Sequence, residues 1–284
     1  MRDLRPARCP ITGDTDARLV FAFDAPPAGE VGFRRQEGQP YYREVWQFAR
    51  SRHYVGCHNM SVATGYQGDY VDASYGSAAG LAAAFERVIK LPAERSDNEG
   101  RIARVRAFAE HHFGTGKAPT LLDVGAGLGV FPRAVKRSGW RCTAIDPDQR
   151  AVEHIRSVVG VDAICGDFMT LENSGRFDIV TFNKVLEHVA DPVAMLRRAG
   201  EFVTPNGFIY VELPDGEAAA AEGPGREEFF IEHLHGFSFL SMVLLAQRAG
   251  LTPVAAERLR EPSTKFTLRA FLTVNQNDDP GATA

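Results

Sequence analysis

From Thr120 onward, short apolar runs alternate with stretches of helical period. Residues 120–124 predict a strand, followed by a glycine loop and a helix through Ser138. Residues 140–145 predict the next strand, with a helix over 150–159 behind it. Residues 161–165 and 177–182 read as further strands. Asp191 caps a helix with Pro192 at its first position, where the missing N–H costs nothing. The breaker cluster Pro205-Asn206-Gly207 stops that helix. Residues 208–213 read as a strand and 238–249 as a helix ending at Gly250. Two β-rich stretches, 253–258 and 266–274, close the pattern. Repeated β-α units predict an α/β fold with a mainly parallel sheet covered by helices on both faces.

Upstream the pattern changes. Leu81, Phe85, Val88 and Ile89 fall at helical spacing, as do Ile102, Val105, Phe108 and Ala109. Pro92 separates the two helices, and Ser96 with Glu99 forms a capping-box signature before the second. Residues 1–75 hold turns and aromatics without a sustained helical period, which predicts a small β-leaning module for substrate recognition or as a lid. The division is then 1–75, 76–275 and a polar tail at 276–284. At 284 residues the chain can bury a core without staples. The net charge of −4 gives no electrostatic footprint for nucleic acid. No apolar run reaches a membrane span, and the first ten residues lack a signal peptide's apolar stretch, so a cytoplasmic location is expected. Four cysteines are too few for a disulfide framework. Cys142 and Cys165, inside apolar strands, read as buried small hydrophobes.

The candidate chemistry begins at Asp123-Val124-Gly125-Ala126-Gly127-Leu128-Gly129. Glycines let the backbone turn sharply and approach a ligand. Asp146 follows Gly125 by 21 residues, where a carboxylate can accept from two ribose hydroxyls. A dinucleotide fingerprint needs a small residue three after Gly127, and Val130 breaks it. Asp123 would repel a phosphate but suits a ligand carrying positive charge, such as a sulfonium with an α-ammonium. That describes S-adenosylmethionine; a hydride-transfer cofactor is the weakest alternative.

The segments LLDVGAGLG, AIDPD, CGDF, FDIVTFNKVLEHVADP and TPNGFIYVELP, in that order over about residues 100–274, resemble the class I S-adenosylmethionine-dependent methyltransferases. The resemblance implies a Rossmann-like seven-stranded sheet with its last strand antiparallel. It also implies S-adenosyl-L-methionine as cofactor, with S-adenosyl-L-homocysteine as product. It places Asp123, Gly125 and Gly127 under the amino-acid end of the cofactor and Asp146 at the ribose. Asp167 and Phe168 fall at the adenine, and Asn183 beside the methionine moiety. Taken singly, Asp167 also reads as a helix cap and Phe168 as a core residue.

The acceptor is less constrained. Glu232-His233-Leu234-His235-Gly236-Phe237-Ser238 resembles the EHLxxFS segment of a branch that includes deoxysugar C-methyltransferases. The resemblance puts Glu232, His233 and His188 toward the acceptor, with His235 as runner-up; histidine suits proton transfer near neutral pH. Glu232 and His233 read equally as braces for a loop that Ser238 ends as a helix cap. That branch opens with a zinc module of two Cys-x-x-Cys pairs. Here Thr12 and Met60 stand where the second cysteines after Cys9 and Cys57 would be, so no metal is expected there. Tyr66, Tyr70 and Tyr75 are candidates for a lid, and Arg101 for the cofactor carboxylate. The first expectation is methyl transfer to a sugar or nucleotide-linked sugar. O-methylation of a natural product or quinone-like precursor is the alternative, and a cofactor-binding assembly partner without turnover is a third reading. The partner is a small molecule, with neither nucleic acid nor membrane; the oligomeric state stays open.

Overall fold

A computed structural model of the chain describes residues 4–33, 38–61, 76–172 and 175–274. Strands β1 (Ala17–Phe23), β2 (Arg43–Phe48) and β3 (Tyr54–His58) form an antiparallel meander in the N-terminal region. Helix α1 (Ala78–Ile89) follows, capped by Ser77. Helix α2 (Asp97–Phe113) starts where Ser96 Oγ accepts from Glu99 N at 3.3 Å, so this half of the expected capping box is present.

The alternating pattern then unfolds as β4 (Thr120–Val124), α3 (Val130–Arg137), β5 (Arg141–Asp146) and α4 (Gln149–His154). Strands β6 (Asp162–Cys165) and β7 (Phe177–Asn183) lead to helix α5 (Pro192–Phe202). Asp191 Oδ1 accepts from Ala194 N at 2.8 Å at its start. Strand β8 (Val203–Pro214) includes Pro205-Asn206-Gly207 as an irregularity, where its register against β7 jumps from Phe177↔Val203 to Ile179↔Phe208. A Cβ on Gly207 would stand 2.5 Å from Asp178 O, so glycine lets β8 approach β7. Helix α6 (Gly216–Glu222) is absent from the pattern reading; Asp215 caps it. Then come the two-residue β9 (His235–Gly236), α7 (Phe239–Arg248), β10 (Leu251–Arg260) and β11 (Phe266–Val274).

The main sheet has seven strands in the order β10-β11-β8-β7-β4-β5-β6. The five from β8 to β6 are parallel, and β11 enters antiparallel between β8 and β10. This is the expected seven-stranded sheet. One cluster, with Leu122, Phe182, Ile209 and Leu245, packs one face. A second, with Val105, Phe131, Tyr210 and Phe271, packs the other. The N-terminal sheet takes its fourth strand, β9, from deep within the other region, through Tyr54↔Gly236 and Val55↔His235. Cys165 is exposed and Cys142 only partly buried, which corrects the expectation of full burial for both; β6 is the edge strand of the sheet. Among the described residues no helix is long and apolar enough to cross a membrane. Tyr66, Tyr70, Tyr75 and the 276–284 tail lie outside the described residues.

Candidate active site

The carboxyl ends of β4, β5 and β7 open onto one cavity of about 640 Å³. Ligands of open α/β sheets bind at this position. Gly125 leaves β4 with φ +70, and a Cβ there would stand 2.7 Å from Val185 Cγ2. At Gly127, φ is +50 and nothing lies within 4 Å of a built Cβ, so the loop backbone borders open space.

Asp123 is 2 % exposed. Its Oδ1 accepts from Thr181 Oγ1 at 2.6 Å and Asn183 Nδ2 at 2.7 Å, both on β7. Burial pushes its pKa up to about 7, although those hydrogen bonds and the Arg101 guanidinium pull the other way. Asn183 commits its amide to Asp123 and leaves its own Oδ1 buried without a hydrogen-bond partner. Asp146 Oδ2 accepts from Gly127 N at 2.8 Å, and Oδ1 from Asp148 N at 2.9 Å. One carboxylate thus fixes both the glycine loop and the turn after β5. Burial raises its pKa against these backbone donors.

Asp167 and Phe168 sit elsewhere. Asp167 is exposed, and its Oδ1 accepts from Met169 N at 2.8 Å as a turn cap. Phe168 is 3 % exposed and packs on Phe182 and Phe202 at centroid distances of 5.7 and 4.9 Å. Neither lines the cavity. Phe168 belongs to the hydrophobic core, and Arg198 Nε donates to its carbonyl at 2.7 Å. Arg101 does line the cavity, but its guanidinium is committed to Glu212 Oε2, through Nε at 2.8 Å and Nη2 at 2.5 Å.

The same cavity is lined by Glu187, His188, Glu232 and His233, with Phe230, Phe266 and Val31 as apolar lining. Glu187 and His188 belong to a single 3-10 turn, Leu186–His188, that follows Lys184 at φ 61. This left-handed backbone is costly for lysine, and strain of this kind collects at functional sites. Lys184 Nζ ties the turn to Leu213 O at 3.2 Å and Thr267 Oγ1 at 2.8 Å. His188 Nδ1 lies 2.9 Å from the backbone oxygen of Glu232, and the His188 and His233 rings meet edge to face at 4.8 Å. Burial pushes Glu187 and Glu232 up to about 7 and lowers His188 to about 4. It also holds His233 well below the usual imidazole range. The expected Glu232–His233 pair is not hydrogen-bonded through the atoms that would join it: His233 Nδ1 and Glu232 Oε2 each lack a partner.

Further residues brace this loop. His235, the runner-up, does not line the cavity; its Nδ1 meets His53 Nε2 at 3.1 Å and its Nε2 meets Val189 O at 2.9 Å. Ser238 Oγ accepts from Ser241 N at 2.9 Å as a helix cap. The sequence reading missed Glu187, although it sits beside His188 in the same motif. It also missed that β3 places His233: Gly56 N donates to Leu234 O at 3.0 Å.

A family model for a methyltransferase domain matches residues 86–256. The chain belongs to the S-adenosylmethionine-dependent methyltransferases. Its curated relatives include a ubiquinone biosynthesis O-methyltransferase of Caulobacter vibrioides, 33% identical over 128 residues, which are 40% of this chain and 51% of the relative. The protein of the same description from Azorhizobium caulinodans is 35% identical over 127 residues, 40% of this chain and 50% of the relative. The chain spans about half the length of the curated relatives it matches. A solved Burkholderia thailandensis 1,6-didemethyltoxoflavin-N1-methyltransferase, with its substrate and S-adenosylhomocysteine bound, shares the methyltransferase fold at TM-score 0.53. It is 17% identical, and the match covers 81% of this chain and 99% of that one.

Proposed function

We propose that this methyltransferase methylates a hydroxyl group on a small ring-bearing acceptor of the quinone-precursor type. The observation that carries the reading is one cavity lined by two unlike sets of residues: Asp123, Asn183, Gly127 and Asp146, and two imidazoles with two carboxylates, together with Phe230 and Phe266. The residues of the first set fit the cofactor. Asn183 Oδ1 and Asp123 offer acceptors to an α-ammonium, the bare Gly127 backbone leaves room, and Asp146 is set for a ribose diol. Asp167 is left at most a peripheral role at the adenine. S-adenosylmethionine, when bound, supplies an electrophilic methyl group on a sulfonium.

The protein's share is positioning and proton removal. Holding the acceptor at attack distance from the methyl group supplies most of the rate gain. His233, with its partnerless Nδ1, and Glu232, with its partnerless Oε2, draw off the hydroxyl proton beside His188. The apolar wall of Phe230, Phe266 and Val31 suits an aromatic ring better than a sugar, which agrees with the naming of the relatives. The test is an acceptor screen that follows S-adenosylhomocysteine release with ortho-diphenols, monophenols and nucleotide sugars. Turnover on diphenols is expected, falling about a hundredfold in His233→Ala, the usual scale for losing a proton acceptor. Cofactor affinity should be unchanged in that variant. Turnover on nucleotide sugars alone would overturn the assignment.

A further inference from the structure

Three buried polar atoms on two side chains, Glu187 and His233, lack a hydrogen-bond partner in this part of the cavity. Glu187 is 1% exposed, and neither of its carboxylate oxygens has a hydrogen-bond partner. His233 Nδ1 is buried without one as well. Burying polar groups without partners is costly, so each calls for a physical cause. The neighbouring Lys184 attracts the Glu187 carboxylate through space but does not hydrogen-bond it, because its Nζ donates to Leu213 O and Thr267 Oγ1.

The donor atoms of Glu187, His188 and His233 all lie within 4.8 Å of one another, and all three residues line the cavity. The Glu232 carbonyl, 2.9 Å from His188 Nδ1, can only accept. The proton of that imidazole is therefore on Nδ1 and its lone pair on Nε2. Backbone carbonyls orient metal-binding imidazoles in this way. We infer that Glu187, His188 and His233 form a binding site for one divalent cation of the first transition row. Two imidazole nitrogens with one carboxylate favour such a cation over magnesium or calcium, which take oxygen ligands. Three protein ligands leave coordination positions open toward the cavity. The site is separate from the N-terminal region, where Cys9 Sγ lies against Ser51 Oγ and His53 against His235.

Cation binding stands on these donors alone. Only its consequence rests on the acceptor reading above: with the cation bound, His233 would serve as a ligand rather than a proton acceptor, an acceptor oxygen would occupy an open position, and Glu232 alone would take its proton. The experiment is a titration of the chelator-treated 284-residue chain with Co²⁺, read by its visible absorption, and with Zn²⁺, read by calorimetry. One equivalent per chain is expected. Outer-shell partners of a metal site cost about 10–100-fold in affinity, so Glu187→Gln and His233→Ala should each weaken binding at least tenfold. S-adenosylhomocysteine affinity should stay within about twofold in both. Glu187→Gln removes an unpaired buried carboxylate, so its metal-free melting temperature should equal or exceed the wild-type value, which separates ligand loss from misfolding. No saturable binding, or binding that survives both substitutions, overturns the inference. Because neither acceptor nor methyl transfer enters the titration, its failure leaves the acceptor screen intact, and the reverse also holds.

Discussion

Asp146 carries two loads at the scale of single residues. It holds the amides of Gly127 and Asp148, and it faces the cavity. Asp146→Ala removes a charged acceptor, and one hydrogen bond to a charged group contributes about 1.5–3 kcal/mol. Affinity for S-adenosylhomocysteine, measured by calorimetry, should fall at least about tenfold. Unchanged affinity would remove Asp146 from the cofactor site. Asp123 adds a pH dependence. Burial raises its pKa to about 7, so below that value the carboxyl is protonated and neutral. A cationic cofactor prefers the ionised form, so binding should weaken as pH falls through about 7 and level off above it. Asp123→Asn should flatten that profile. The sequence showed the identity of this carboxylate; its partners on β7 and its raised pKa arise only when the strands pair.

Among the elements, β9 decides the position of His233. Two residues of the acceptor segment join the N-terminal sheet, and Gly56 on β3 donates to Leu234 O. A Cβ on Gly56 would stand 2.9 Å from His233 O, closer than real Cβ contacts come. Gly56→Ala should therefore push the segment outward. We expect a higher acceptor KM and a lower kcat with cofactor affinity unchanged, because the cofactor residues sit on other strands. Equal effects on cofactor and acceptor binding would point to a general loosening instead. The helices and main strands were legible in the apolar period, and their caps in Ser96, Asp191 and Ser238. Strand β9 was not, because two residues carry no periodicity and its pairing partner lies far away in the chain.

For the whole molecule, Glu212 ties three elements together. From β8 it accepts from Arg269 Nε on β11 at 2.8 Å, from Arg101 on α2 and from Tyr210 Oη at 2.6 Å. Burial alone would raise its pKa, but Arg101, Arg269 and Lys184 outweigh that and lower it to about 2. A depressed carboxylate stabilises the fold fully above its unfolded pKa of about 4.3, and that contribution is lost as pH falls toward about 2. Glu212→Gln leaves the buried Arg101 without its counter-charge and Arg269 with Glu261 alone, and breaking a buried pair in this way costs about 3–5 kcal/mol. Denaturant unfolding at neutral pH should show that loss, and the variant should lose less further stability on acidification than the wild type. A neutral substitution would mean that water already screens the network.

The chain's local pattern determined the alternating sheet, the glycine loop and the carboxylates Asp123 and Asp146, because these follow from residue type at short spacing. It also held the reading of a methyltransferase, since five ordered segments each keep their own local geometry. Tertiary structure decided the rest. Phe168 went to the core, Asp167 to a cap and Cys165 to an exposed edge, since burial depends on which element covers a side chain. Glu187, His188 and His233 converge only because a 3-10 turn after β7 meets a segment anchored on β3. The distance between those donors is a property of that packing, and no spacing along the chain encodes it.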